Sequence, residues 1–144
     1  MSEQIVALKP ERKADIPLSR GETVLLVEDD TSILKLGTRM LEKLGYTVLS
    51  AATPAEAADQ AQRNSGDIEL LITDVIMSEM NGRQLSEKLR TIHPELKILY
   101  MSGYTADVIA HRGVLEEGGS FVQKPFSKRE MAIKVRAVLD GTSG

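Results

Sequence analysis

LLITDVIMSEMNG, Leu70 to Gly82, is the stretch whose reading decides the fold. An apolar run rich in Leu and Ile ends in a single carboxylate, Asp74, and the chain then turns polar through Ser78, Glu79, Asn81 and Gly82. A run of this length and composition reads as a buried strand. A carboxylate at the carboxyl end of such a strand lies where open α/β sheets bind their ligands. Asp74 is therefore either a loop cap or a reactive group, and the rest of the chain must decide.

Working outward, the same pattern recurs. Thr23 to Val27 (TVLLV) is a buried strand that runs into Glu28, Asp29 and Asp30. Thr31 or Asp30 can cap the helix that follows, whose Ile33, Leu36, Met40, Leu41 and Leu44 recur at helical spacing before a stop at Gly45. Tyr46 to Leu49 is a second strand. Thr53, Pro54 and Glu56 open an alanine-rich helix that ends near Gly66. After Asp74 a third helix places Leu85, Leu89 and Ile92 inward and stops at His93-Pro94.

Lys97 to Met101 is a fourth strand ending in Ser102, and a weaker helix covers roughly Ala106 to Arg112. Ser120 to Gln123 is a short fifth strand ending in Lys124-Pro125-Phe126. Ser127 and Glu130 form a capping box for a last helix that presents Met131, Val135, Val138 and Leu139 inward. Five short strands alternating with five helices predict a parallel sheet covered on both faces, with right-handed crossovers.

Length and composition narrow the function. A chain of 144 residues favours one domain with a single core. There is no cysteine, which excludes disulfides, thiol catalysis and cysteine-based zinc sites. A formal net charge of -3 argues against a nucleic-acid surface. No apolar run reaches membrane-spanning length and no signal peptide is visible, so no membrane insertion and a cytoplasmic location are expected. Residues 1–21, with Lys9, Pro10, Pro17 and Arg20 among interleaved charges, read as a flexible tail or linker. Its patch Ile5 to Leu8 is either a stray apolar patch or the end of an upstream strand. Residues 22–140 form the domain and 141–144 a frayed end. His93 and His111 read as surface residues.

In a parallel sheet all carboxyl ends open on one edge. Glu28 and Asp29, Asp74, Ser102 and Lys124 can therefore converge there. Each alone reads as a cap, a turn former or a solvent-facing lysine; together they suggest phosphoryl transfer onto a carboxylate. Clustered carboxylates repel unless a cation joins them, and hard oxygen ligands with open water positions suit Mg²⁺. Lys124 would add positive charge and Ser102 a hydrogen bond, in a reaction that depends on positioning and charge neutralisation.

The chain closely resembles the receiver domain of two-component response regulators. The resemblance rests on VLLVEDD (Val24 to Asp30), ITDVIMSEMNG (Ile72 to Gly82), ILYMSGYT (Ile98 to Thr105) and FVQKPF (Phe121 to Phe126), in family order. It implies a flavodoxin-like (βα)5 fold, a doubly wound five-stranded parallel sheet of order 2-1-3-4-5. It implies that Asp74 is the phosphoacceptor, that Asp29 and Glu28 and the backbone carbonyl of Ile76 hold Mg²⁺ with Asp74, and that Ser102 and Phe121 are the switch pair with Lys124 beside them. Asp30 matches no ligand position and reads as a helix-start residue. Ser78 stands where the family usually has Pro, Ser102 where Thr is commoner, and Phe121 where Tyr is common.

The resemblance further implies a partner histidine kinase or histidine phosphotransfer protein as phosphoryl donor. It implies a protein-binding face made by the helix after the fourth strand, the fifth strand and the last helix, and allows a homodimer through that face. The wording around GETVLLVEDD and GVLEEGGSFVQKPF is similar to receivers at the end of hybrid sensor kinases, so the chain is either a single-domain regulator or a piece of such a kinase. No helix-turn-helix is legible after it, and no catalysis beyond its own phosphorylation and dephosphorylation is expected. Ile76 and Tyr104 flank the route of water to the aspartyl-phosphate; Ile76 cannot orient a water and Tyr104 is bulky, which predicts slow self-dephosphorylation. The competing readings are a degenerate receiver that binds partners without phosphorylation, and a small aspartyl-phosphate hydrolase. The hydrolase is disfavoured because no second Asp stands two after Asp74.

Overall fold

The computed structural model describes residues 16–64, 66–75, 77, 80–103 and 120–141. The expectations at the patch before residue 9, at Ile76, Ser78 and Tyr104, for the weaker helix over 106–112 and at His111 fall outside those residues.

Five strands and four helices are described: β1 (Thr23–Val27), α1 (Thr31–Lys43), β2 (Thr47–Ala51), α2 (Pro54–Arg63), β3 (Leu70–Asp74), α3 (Gly82–Arg90), β4 (Lys97–Ser102), β5 (Ser120–Gln123) and α4 (Lys128–Asp140). All pairings are parallel, in the order β2-β1-β3-β4-β5. This is the flavodoxin-like arrangement expected from the resemblance. Side chains of a strand alternate faces, and the central strands divide their residues accordingly. Leu25 and Val27 of β1, Leu71 of β3, and Ile98 and Tyr100 of β4 pack with Ala57 and Ala61 of α2 and Leu85 and Leu89 of α3. Val24 and Leu26, Leu70 and Ile72, and Leu99 and Met101 face the other way, against Leu41 of α1 and Met131, Ala132 and Val135 of α4. Two apolar layers therefore sandwich one sheet, and a strand apolar on both faces is the consequence.

The helix starts follow local chemistry. Asp30 caps α1, its carboxylate accepting from the Ser32 and Ile33 amides. Thr53 caps α2 with Pro54 in the first turn. Asn81 with Gln84, and Ser127 with Glu130, make reciprocal capping boxes for α3 and α4.

Three sequence expectations need correction. The helical spacing puts Leu36 on the inner face of α1, yet it is 51% exposed. Gly37 takes the buried position instead, and a Cβ there would meet the Leu26 side chain at 3.0 Å; α1 is thus rotated so that its glycine lies against the sheet. The second strand runs from Thr47 to Ala51 rather than Tyr46 to Leu49, because Thr47 pairs with Thr23 while the Tyr46 ring is buried in the core. His93 is buried rather than at the surface. Its Nε2–H donates to the Ala61 carbonyl at 3.0 Å and its Nδ1 accepts the Gly66 amide at 3.4 Å. Ala61 is in the last turn of α2, where carbonyls lack helical partners, so the imidazole closes the end of that helix.

Ile16 to Gly21, read as part of the leading tail, lies against the domain. Ile16 packs on the α1/α4 layer and the Ser19 amide donates to the Leu44 carbonyl at 2.8 Å. Arg136 of α4 reaches the Leu18 carbonyl at 3.5 Å, Glu22 at 2.8 Å and the Tyr46 hydroxyl at 3.3 Å.

Candidate functional site: a carboxylate cluster at the strand ends

The strand order places β1 between β2 and β3, so successive connections depart in opposite directions at β1 and β3. A crevice opens at the carboxyl ends of strands at such a point. Glu28 follows β1 and its amide still bonds the Ala51 carbonyl of β2 at 3.1 Å, which holds its side chain over the sheet edge. Asp74 ends β3 opposite Met101 of β4. Ser102 ends β4, and the Lys124 amide donates to its carbonyl at 2.8 Å, prolonging the β4–β5 pairing by one bond. The Lys124–Pro125 peptide is cis.

These elements bring Glu28, Asp74 and Lys124 into contact. Lys124 Nζ lies 2.7 Å from Asp74 Oδ1 and 3.1 Å from Glu28 Oε1. Glu28 Oε2 accepts the Asp30 amide at 3.0 Å. The Glu28 and Asp74 side chains are only 1% and 6% exposed, against 21% for Lys124. Asp29 is exposed, and carboxylate oxygens of Glu28, Asp29 and Asp74 lie within 4.8 Å of one another. Ser102 is buried beside them, its hydroxyl donating a long 3.4 Å bond to the Gly103 carbonyl. Phe121 is not in this cluster; it lies on β5 opposite Tyr100.

Charge does not balance here. Two buried carboxylates share one ammonium, so one is left without a full counter-charge. Burial, and then the Glu28 carboxyl hydrogen-bonded to it, raises Asp74 against the opposing pull of Lys124. Burial would raise Glu28 too, but its bonds from Asp74, the Asp30 amide and Lys124 bring it below its ordinary value. Burial weakens the Lys124 ammonium, yet the bonds and charges of Asp74 and Glu28 raise its pKa overall. Asp74 is thus the member of the pair that holds a proton most readily. The donor set is made of hard oxygens, carries more negative charge than Lys124 offsets and is open to water at Asp29. Those properties fit Mg²⁺, which would be held by Glu28, Asp29 and Asp74.

One residue of the site was not singled out from the sequence. Gly82 opens α3 directly against β3: its amide donates to the Val75 carbonyl at 2.7 Å, and a Cβ at this position would overlap the Asp74 carbonyl oxygen. Its signal was present, a glycine immediately after the Asn81 cap, but it is indistinguishable in sequence from an ordinary loop glycine.

Comparison with known proteins adds to this geometry. The family model described as response regulator receiver domain matches residues 24–136. The sensor kinase CckA of Brucella abortus (strain 2308) is 37% identical over 132 residues, which is 92% of this chain and 14% of that kinase. The response regulator receiver protein CpdR of the same organism is 30% identical over 116 residues, 81% of this chain and 95% of CpdR. The solved receiver domain of the hybrid histidine kinase CckA superposes with a TM-score of 0.67 at 32% identity, covering 81% of this chain and 98% of that one. A receiver domain protein from Clostridium thermocellum shares the fold, with a TM-score of 0.75 at 22% identity over 83% of this chain and 95% of that one. The chain therefore spans a small part of the sensor kinase and nearly all of CpdR.

Proposed function

Because this chain belongs to the response regulator receiver domain family, the receivers of two-component systems, we propose that it accepts a phosphoryl group on Asp74 from a phosphohistidine of a partner kinase or phosphotransfer protein. The observation that carries this reading is the contact of Lys124 with both Asp74 and Glu28. An ammonium held 2.7 Å from a buried carboxylate stands where charge develops when that carboxylate attacks phosphorus. The N–P bond of the donor breaks with its electron pair left on the imidazole nitrogen, and an Asp74 oxygen forms the new P–O bond. Asp74 attacks as the carboxylate, a form favoured by added positive charge in the cluster. Mg²⁺ would supply that charge if bound; Glu28, Asp29 and Asp74 would hold it, and the resemblance implies the Ile76 carbonyl as a further ligand.

Ser102 and Phe121 then report the new group. The Ser102 hydroxyl exchanges its long bond to Gly103 for a phosphoryl oxygen, and Phe121 repacks toward the space it leaves. That changes the surface around β5 and α4, and a downstream protein reads it as a shift between two packings. An apolar recess of about 360 Å³, lined by Ile33, Leu36, Gly103, Lys124, Pro125 and Phe126, opens beside the ammonium and is a seat for the phosphohistidine-bearing partner. Residues 22–140 are the switching unit. Ile76 and Tyr104 make the aspartyl-phosphate long-lived, and Ile76→Asn shortens its lifetime in a dephosphorylation time course.

Acetyl phosphate with Mg²⁺ tests the reading. Wild type takes up one base-labile, hydroxylamine-sensitive phosphoryl group and Asp74→Asn takes up none. Labelling of neither would leave a binding module that works without phosphorylation, and equal labelling of the two would put the acceptor on a residue other than Asp74.

A further inference from the structure

Tyr100 lies on β4 two residues before Ser102, opposite Phe121 of β5 in the register. Its side chain faces the α2/α3 layer and is 6% exposed. Its ring and that of Phe121 are tilted at 42° with centroids 6.0 Å apart, an attractive geometry for two aromatics. Phe121, half-buried, packs against the same layer. Tyr100 is thus one wall of the place the Phe121 ring occupies.

That wall is fastened. The Tyr100 hydroxyl lies 2.9 Å from Ser86 Oγ, inside the protein. Ser86 spends its own proton on the Arg83 carbonyl at 2.9 Å, so the tyrosine is the donor and the serine oxygen the acceptor. Ser86 is one turn into α3, whose first residue, Gly82, is pressed against the Asp74 backbone. Through this bond the ring is tied to the helix that starts at the phosphoacceptor.

We propose that Tyr100, pinned by Ser86, is a positioning residue for Phe121, giving Asp74 a second connection to the aromatic switch, through α3 rather than through the Ser102 hydroxyl. This rests on the phosphoacceptor reading above. The pin holds the Tyr100 ring at a fixed distance and tilt, and so sets how the Phe121 ring divides between packing against Tyr100 and swinging outward. Releasing the pin changes that division and its response to a group on Asp74. Both partners act through one hydrogen bond, so their loss is non-additive.

The chain has two phenylalanines, 121 and 126, so biosynthetic labelling with fluorophenylalanine gives two fluorine signals in wild type, assigned by Phe126→Leu, and a third in the variants that carry Tyr100→Phe, where Phe121→Leu in the same background identifies the Phe121 signal. The full chain is compared in Mg²⁺ alone and in Mg²⁺ with beryllium fluoride, a phosphoryl mimic, as wild type, Tyr100→Phe, Ser86→Ala, the double variant and Ser86→Thr. In wild type the Phe121 signal moves on adding beryllium fluoride. Tyr100→Phe and Ser86→Ala each change the Phe121 population ratio by about fivefold, the size expected for one net hydrogen bond. The double variant matches the singles, and Ser86→Thr, which keeps the acceptor oxygen, restores wild-type behaviour. A purely structural role would lower the melting temperature and leave the Phe121 ratio and its response unchanged, and that result overturns the proposal, as do effects that simply add. If acetyl phosphate labels Asp74 but Phe121 ignores beryllium fluoride in wild type, the switch and this pin fail together while phosphoacceptance stands. If Asp74 is not labelled at all, the parent reading has failed.

Discussion

Lys124 Nζ bridges Asp74 Oδ1 and Glu28 Oε1, at 2.7 Å and 3.1 Å, across the ends of three strands. It is the group that makes the burial of two carboxylates tolerable. Lys124→Ala leaves both without it, and breaking a buried pair in this way costs about 3–5 kcal/mol before the acids relieve it by taking up a proton. A net loss of about 2–3 kcal/mol is expected in metal-free buffer. Adding Asp74→Asn to Lys124→Ala removes one of the stranded charges and recovers part of that loss. Urea unfolding in EDTA measures both. If Lys124→Ala costs the same on the wild-type and Asp74→Asn backgrounds, the ammonium is not serving the pair.

The same excess of negative charge predicts a metal-dependent melting temperature. Mg²⁺ that binds the folded cluster and not the unfolded chain stabilises by mass action, about 2.7 kcal/mol at a concentration a hundred times its dissociation constant. Asp29 is the exposed member of the three, so Asp29→Asn is a mild change to the metal-free protein, within about 0.5 kcal/mol. It removes most of the Mg²⁺ gain. Thermal melts with and without Mg²⁺, at fixed ionic strength, decide the matter; a wild-type curve that ignores Mg²⁺ would contradict the metal site.

Leu36 gives a way to separate partner docking from chemistry. It is a large apolar side chain, half exposed, on the rim of the recess beside Lys124. Leu36→Glu is expected to slow transfer from a phosphohistidine donor by about tenfold, the cost of losing one well-packed contact residue. Labelling by acetyl phosphate, which needs no docking surface, stays at the wild-type rate. Parallel time courses with the two donors provide the comparison. Slowing with both donors would mean that the substitution disturbs the cluster itself.

Gly82 tests how closely α3 must approach the acceptor. Its missing Cβ is what lets the helix start against the Asp74 carbonyl, and its φ is not one that only glycine adopts. Gly82→Ala should therefore act through contact rather than backbone strain. It displaces the Asp74 loop and lowers both stability, by about 1–3 kcal/mol, and the acetyl phosphate labelling rate. Denaturant melts and labelling of the same preparation check it; an alanine variant with wild-type labelling would show that the approach is not needed.

Much of this was legible in the sequence, for a reason visible in β1, β3 and β4. Each is apolar on both faces and stops abruptly at a polar residue, and in a parallel sheet those stops share an edge. Glu28, Asp74, Ser102 and Lys124 could thus be placed together without coordinates. What escaped depended on neighbours distant in sequence. His93 beside a proline looks solvent-facing until α2 ends next to it with an unmet Ala61 carbonyl. Leu36 fits the helical stripe, and only the close approach of Gly37 to Leu26 shows that the helix is rotated away. Ser86 and Tyr100 give no joint signal at all, since hydroxyl pairs between a helix and a strand follow no spacing rule.

Arg136 is a further case of such a hidden link, and it carries a pH prediction. Its guanidinium, 10% exposed, bonds Glu22 at 2.8 Å and 3.1 Å, Asp140 at 2.8 Å and the Tyr46 hydroxyl, tying the stretch entering β1 to α4. The bond from Arg136 holds Glu22 down to about 2 from an ordinary 4.5, against the opposing effect of burial. A carboxyl whose folded pKa is depressed favours folding above its unfolded pKa, and that gain disappears as pH falls through the folded value. Between pH 4.5 and 2 the protein should therefore lose stability from this group alone. The full shift would correspond to about 3 kcal/mol, and solvent at the rim reduces the expected loss to about 1–2 kcal/mol. Glu22→Gln lacks the titrating group and Arg136→Gln lacks its partner, so each is less stable than wild type at neutral pH, with the gap narrowing across this window. Urea midpoints from pH 6 down to pH 2.5 give the slope directly. Parallel slopes for wild type and Glu22→Gln would place the acid sensitivity elsewhere and leave the Arg136 contacts as packing alone.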